Sequence, residues 1–60
     1  MGKMLKAEDV AEILQIGLSK SYQIIKQLNQ ELEKAGYYTC RGRVSADYFE
    51  KRFFGKGDDK

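Results

Sequence analysis

Two groups of side chains in this chain are suited to contacting a polyanion. The first is Ser19, Lys20, Tyr22, Gln23, Lys26 and Gln27, spaced along one segment that contains no acid between residues 18 and 30. Amide and hydroxyl groups read the edges of bases, while lysine pairs with phosphate or guanine. The second is Arg41-Gly42-Arg43, two guanidinium groups flanking a glycine. Arginine suits phosphate and a narrow minor groove. The plain alternatives are a solvated helix face for the first group and a charged hairpin that blunts a sheet edge for the second. Local charge favours contact, because no acid lies between residues 37 and 45 to neutralise the arginines.

Catalytic chemistry finds little here. The 60 residues include no histidine and a single cysteine, Cys40, so a Cys–His pair, a zinc cluster and an intrachain disulfide are all excluded. Asp9, Glu12, Glu31, Glu33, Asp47 and Glu50 fall where helix surfaces account for them. Neither an enzyme nor a cofactor is expected. Cys40 is expected to be a small buried hydrophobe, and a lone thiol fits a reducing cytoplasm. No apolar run exceeds two residues, so no membrane span is expected. The net charge of +2 is too mild to argue for nucleic acid by itself. Its distribution says more: the stretches 18–30 and 37–45 each carry +2, while 1–17 and 31–36 each carry −1.

These side chains need elements to hold them. Ala7, Val10, Ala11, Ile13 and Leu14 form an apolar stripe that predicts a helix over 7–14. Glu8 and Asp9 suit its first turn, and Leu5 with Val10 suits a hydrophobic staple. Lys6 is a poor N-cap. A second helix is predicted over 18–35, with Gly17 as N-cap and Gly36 at the left-handed C′ position. Its inward side carries Ser21, Ile25, Leu28, Leu32 and Ala35. Its outward side carries Ser19, Gln23, Lys26, Gln30 and Lys34. Leu18 caps the core or touches a thymine methyl. Tyr22 sits at the edge of the stripe, where it covers the core or reaches a phosphate. Only Gln15, Ile16 and Gly17 separate the two helices, which is the spacing of a helix-turn-helix, and Ile16 is expected to plug the corner.

After Gly36, Tyr37-Tyr38-Thr39-Cys40 is rich in strand formers. Arg41-Gly42-Arg43 reads as a tight turn and Val44 as the returning strand, together a short hairpin. Residues two apart on such a hairpin share a face, so Arg41 and Arg43 are expected to reach one DNA strand. Ser45 is a good N-cap for a third helix over 46–53, with Tyr48, Phe49 and Phe53 inward, Phe54 exposed and Gly55 as its end. Tyr37, Tyr38, Tyr48, Phe49 and Phe53 are expected in the core rather than on a base-stacking platform.

The order helix, turn, helix, hairpin, short helix resembles the excisionase-like, MerR-related winged helix-turn-helix family of phages and integrative elements. The carriers are Met4-Leu5-Lys6-Ala7-Glu8-Asp9-Val10-Ala11-Glu12-Ile13-Leu14, Ser19-Lys20-Ser21-Tyr22-Gln23-Ile24-Ile25, and Arg41-Gly42-Arg43-Val44-Ser45 leading into Asp47-Tyr48-Phe49. The family often has glycine where this chain has Gln15, and serine where it has Gly17. The resemblance spans 4–54 and implies a mainly α fold with a two-stranded wing, while the tail over 55–60, with two glycines and no large apolar side chain, is expected to be flexible. It implies a second helix in the major groove and a wing on the backbone or minor groove.

The partner is then double-stranded DNA, bound by a monomer or a cooperative assembly. A recombinase or RNA polymerase is a further candidate partner, since an excisionase-type recombination directionality factor and a small transcriptional regulator use the same domain. The competing class is a protein–protein adaptor that makes no DNA contact. An adaptor has no need for basic residues on both helix and wing.

Overall fold

A computed structural model describes residues 3–55 of the protein. Its elements are β1 (Met4–Lys6), α1 (Ala7–Leu14), α2 (Leu18–Lys34), β2 (Arg43–Ser45) and α3 (Ala46–Phe54). Three helices and a two-stranded antiparallel sheet make the fold mainly helical, as a winged helix-turn-helix requires. The expected flexible tail lies, beyond Gly55, outside the described residues.

α1 starts without a capping side chain at Lys6. Lysine has no acceptor to offer the first turn. Asp9 compensates from within the helix, its carboxylate accepting from the Lys6 N–H at 3.0 Å. α2 begins at Gly17, and its end is a complete Schellman arrangement around Gly36, which has a φ of 95°. The Gly36 N–H reaches the Glu33 carbonyl and the Tyr37 N–H the Leu32 carbonyl, both at 3.0 Å. α3 is capped by Ser45, whose Oγ accepts from the Tyr48 N–H at 3.3 Å, and it ends at Gly55.

The sheet departs from the sequence expectation. Its strands are β1 and β2, paired Met4 to Ser45, Leu5 to Val44 and Lys6 to Arg43. The segment Tyr37–Cys40 supplies no strand, only an isolated bridge between Cys40 and Arg43. Burial explains the choice. Strand propensity expresses how well side chains pack on a half-covered surface. Pairing β1 with β2 sets half-buried Leu5 opposite fully buried Val44. Tyr37 and Tyr38 face solvent and have no such surface to cover. The wing is therefore a tight turn rather than a full hairpin.

The core comprises Ala7, Val10, Ile25, Leu28, Val44 and Phe49, flanked by Leu5, Leu14, Ile24, Leu32 and Tyr48. Several expected core residues lie elsewhere, and Leu18, Ala35, Tyr37 and Tyr38 among them are exposed. Ile16 is only half-buried and is not part of this cluster. The corner is instead occupied by Ser21, fully buried, whose hydroxyl donates to the Gly17 carbonyl at 3.1 Å. Ile13 is exposed, and so is Cys40, because its segment never joins the sheet. Phe53 is 41% exposed, although its ring still lies 4.8 Å from that of Phe49.

The inter-helix turn has one strained position. Gln15 adopts φ 56°, ψ 52°, and it is the only residue other than glycine with positive φ among those described. The Ile16 N–H reaches back to the Ala11 carbonyl at 3.0 Å, so Gln15 occupies the place that glycine takes in a Schellman end. An L-residue there costs about 1–2 kcal/mol, part of which glycine would give back as chain entropy. Gln15→Gly is expected to stabilise the domain by roughly 0.5–1 kcal/mol and to raise its melting temperature by a few degrees. A thermal melt showing a lowered midpoint would contradict the left-handed turn.

A polar clasp joins α3 to the second half of α2. Arg52 donates to Glu31 through Nε at 2.8 Å and Nη2 at 2.9 Å, and Tyr48 Oη donates to the same carboxylate at 2.6 Å. The Arg52 hydrogen bonds, followed by that of Tyr48, bring the Glu31 carboxyl down to about 2. The Tyr48 hydroxyl is correspondingly pushed up by Glu31. A carboxyl whose pKa is lower in the folded than in the unfolded chain stabilises the fold above its unfolded value, and the contribution fades as pH falls toward the folded value. The window here is from the ordinary value of 4.5 down to about 2. Over that window the parent melting temperature should fall more steeply than that of Glu31→Gln. Parallel slopes would show that the clasp adds nothing measurable, as exposed ion pairs sometimes do.

Candidate nucleic-acid interface

α2 turns one face toward the wing. Tyr22, Lys26, Asn29, Gln30 and Glu33 recur along it at helical spacing and line a shallow open groove. Thr39, Arg41 and Gly42 form the opposite wall. The turn carrying Arg41 runs from Cys40 to Arg43 and is closed by the Arg43 N–H on the Cys40 carbonyl at 3.1 Å. Gly42 has φ 78° while Arg41 keeps negative φ, the combination of a type II turn in which the third residue must tolerate a left-handed backbone. The turn therefore needs glycine at 42 and presents Arg41 at its tip.

Charge in the groove is uneven. Among the described residues no salt bridge engages Lys20, Lys26, Arg41 or Arg43. Lys26 and Arg41 face the same groove, and neither forms a salt bridge with a described acid. Its far end is acidic, but there Glu33 accepts a hydrogen bond from Thr39 Oγ1 at 2.6 Å. The groove thus runs from basic, beside the first half of α2, to acidic near that helix's end.

The nine residues expected to meet DNA do not all gather in one place. Tyr22, Lys26, Arg41 and Gly42 share the groove. Tyr22 is 54% exposed and stands outside the core, which removes one of the two roles open to it. Ser19, Lys20 and Gln23 are exposed on the first turns of α2, beyond the groove's lining. Gln27 is exposed outside the groove lining, between Gln30 on one side and Arg52 and Phe53 of α3 on the other. Arg43 is exposed in β2 and outside the groove lining. The expectation that Arg41 and Arg43 project together rested on strand alternation, which the turn at Gly42 interrupts.

No family model matches the chain, and no solved structure matches it. It is, however, 39% identical over 56 residues to ICEBs1 excisionase of Bacillus subtilis (strain 168). The alignment covers 93% of this chain and 88% of that protein. This chain belongs to the excisionase family. The helix-turn-helix and wing described above are thus those of an excisionase-family protein. None of its described helices is long and apolar enough to cross a membrane.

Sequence reasoning missed two features of this excisionase-family groove, Asn29 and the Thr39–Glu33 bond. Asn29 did leave a signal. It follows Leu28 and lies four residues after Ile25, on the buried face, where an amide needs partners. It is 8% exposed, and its Nδ2 donates to the Cys40 carbonyl at 3.0 Å and to the Arg43 carbonyl at 2.8 Å. Thr39 left no such signal, since its bond to Glu33 depends on the path of residues 37–40.

Proposed function

We propose that this chain binds double-stranded DNA sequence-specifically and acts as a non-catalytic accessory factor, a recombination directionality factor for a site-specific recombinase. One observation carries the reading: Lys26 of α2 and Arg41 of the wing face one groove and, among the described residues, form no salt bridge. Cations that line one groove and form no salt bridge within the described residues are available to a DNA backbone. In this arrangement the first half of α2 enters the major groove. Ser19, Lys20 and Gln23 meet base edges and phosphates there, and Tyr22, Lys26, Arg41 and Gly42 follow the adjacent backbone. Gln27, exposed between Gln30 and α3, lies at the border of this surface. Arg43 contributes a further phosphate contact from the sheet edge.

The relative's name favours recombination over transcriptional control. Directionality factors bend or organise DNA and leave strand exchange to the recombinase, so no nucleophile is required of this chain. A protein-only adaptor would leave Lys26 and Arg41 without a use.

Footprinting across the DNA flanking the protein's own gene, followed by a salt titration on the protected duplex, tests the proposal. About four phosphate contacts give a log–log slope of roughly −3.6, at about −0.9 for each. Absence of duplex binding at low salt would overturn the reading. Protection confined to a promoter, with no effect on excision in a reconstituted recombinase reaction, would transfer the role to transcription.

A further inference from the structure

We infer that Asn29 is a positioning residue that fixes the wing against α2 and so makes Arg41 effective in DNA binding; the inference rests on the duplex-binding reading above. Cys40 and Arg43 are the first and last residues of the wing turn, and one amide nitrogen holds the carbonyls of both, at 3.0 and 2.8 Å. Two anchors at the two ends of one turn stop it hinging about either end. Both partners are carbonyls, so the nitrogen rather than the oxygen of the side chain must face them. Asn29 lies three residues after Lys26, on the same side of the helix. The amide therefore links the two cations across the groove, with Lys26 on its own helix and Arg41 inside the turn it holds.

Asn29 Oδ1 is buried and has no partner among the described residues. An orphaned buried acceptor offsets much of what the two donated bonds contribute to stability. The residue thus constrains geometry more than it stabilises the fold. The other tether, Thr39 to Glu33, is exposed and joins the wing just ahead of the turn. It does not reach the turn's second end, where Arg43 is held by its pairing with Lys6 of β1 and by Asn29.

The test combines a measurement without DNA and a double-mutant cycle. Amide hydrogen exchange at Arg43 is read in the parent, in Asn29→Ala and in Ile25→Val. The last is a mildly destabilised control whose change lies in the core, away from the turn. Exchange should be at least about tenfold faster in Asn29→Ala than in Ile25→Val. Affinity for the footprinted duplex is then measured with and without Arg41→Ala in each background. At about 0.1 M salt, loss of one phosphate contact is worth roughly eightfold. That factor should appear in the parent and in Ile25→Val, and should shrink below about twofold in Asn29→Ala, because an untethered wing no longer presents Arg41. If Asn29→Ala melts too low, Asn29→Ser replaces it, since a hydroxyl has one proton and cannot hold two carbonyls.

Unchanged Arg43 exchange, or a full Arg41 factor in the Asn29 background, would overturn the inference. A parent chain that binds no duplex would overturn the DNA reading and this inference together. Because the parent is measured before any variant, that outcome is distinct from failure of the inference alone.

Discussion

Phe49→Ala is expected to leave most of the chain unfolded near body temperature. Phe49 is fully buried, and its ring lies 4.8 Å from that of Phe53 and 6.1 Å, edge-on, from that of Phe54. It belongs to the cluster in which α1, α2 and β2 meet α3. Truncating a buried phenylalanine costs about 3–5 kcal/mol through lost transfer energy and the cavity left behind. A domain of this length has few residues over which to spread that loss. Its total stability should lie toward the low end of about 5–15 kcal/mol. At about 4–8 °C per kcal/mol for a domain this small, the melting temperature should drop by roughly 12–40 °C.

DNA binding should fall with the folded fraction. Tyr38→Ala, at a fully exposed ring, serves as the control and should stay within about 0.5 kcal/mol of the parent. Ile16→Ala, which the sequence alone would rank among the most damaging changes, should cost only about 1 kcal/mol, because Ile16 is half-buried. Calorimetry or circular dichroism separates the three. A Phe49→Ala midpoint within a few degrees of the parent would mean that α3 does not dock as described.

The second large effect concerns the groove. Combining Lys26→Ala with Arg41→Ala should weaken duplex binding about 60-fold near 0.1 M salt and flatten the salt slope from roughly −3.6 to −1.8. Both side chains are exposed and outside the core, so the melting temperature should hardly change. Loss of phosphate contacts should weaken all sequences alike. Gln23→Ala, on the first turns of α2, should instead cost about 1–3 kcal/mol at the preferred site and relax base preference there. Fluorescence anisotropy against specific and scrambled duplexes distinguishes the two patterns. If the double variant changed sequence preference while leaving the slope intact, Lys26 and Arg41 would be reading bases rather than phosphates.

Local chemistry made much of this protein readable from its residues. The stripe from Ala7 to Leu14, Gly17 and Gly36 at the ends of the long helix, and Ser45 and Gly55 bounding the last one were each legible within a few neighbouring positions. The observed bounds of α1 coincide with that reading, and those of α2 and α3 differ from it by a single residue. Helix periodicity and caps are short-range properties, so sequence states them directly. The net positive charge of the stretches 18–30 and 37–45 was equally visible, and Lys26 and Arg41 from those stretches line the groove.

Partnership across the chain was decided by the tertiary structure. Tyr37–Cys40 has the composition of a strand, yet Val44 pairs with Leu5, nearly forty positions away, because that register buries Val44 and packs half-buried Leu5 against the core. With the expected strand absent, Cys40 is exposed and Arg43 is separated from Arg41. The corner between α1 and α2 accommodates the small side chain of Ser21, and Ile16 is left at its edge. Gln15 supplies a left-handed turn that its residue type disfavours, held by the Ile16 hydrogen bond to Ala11. Asn29 found its two carbonyls 11 and 14 residues farther along the chain. Each of these outcomes depends on which distant surface is available to bury a side chain or satisfy a polar group, and no local pattern encodes that.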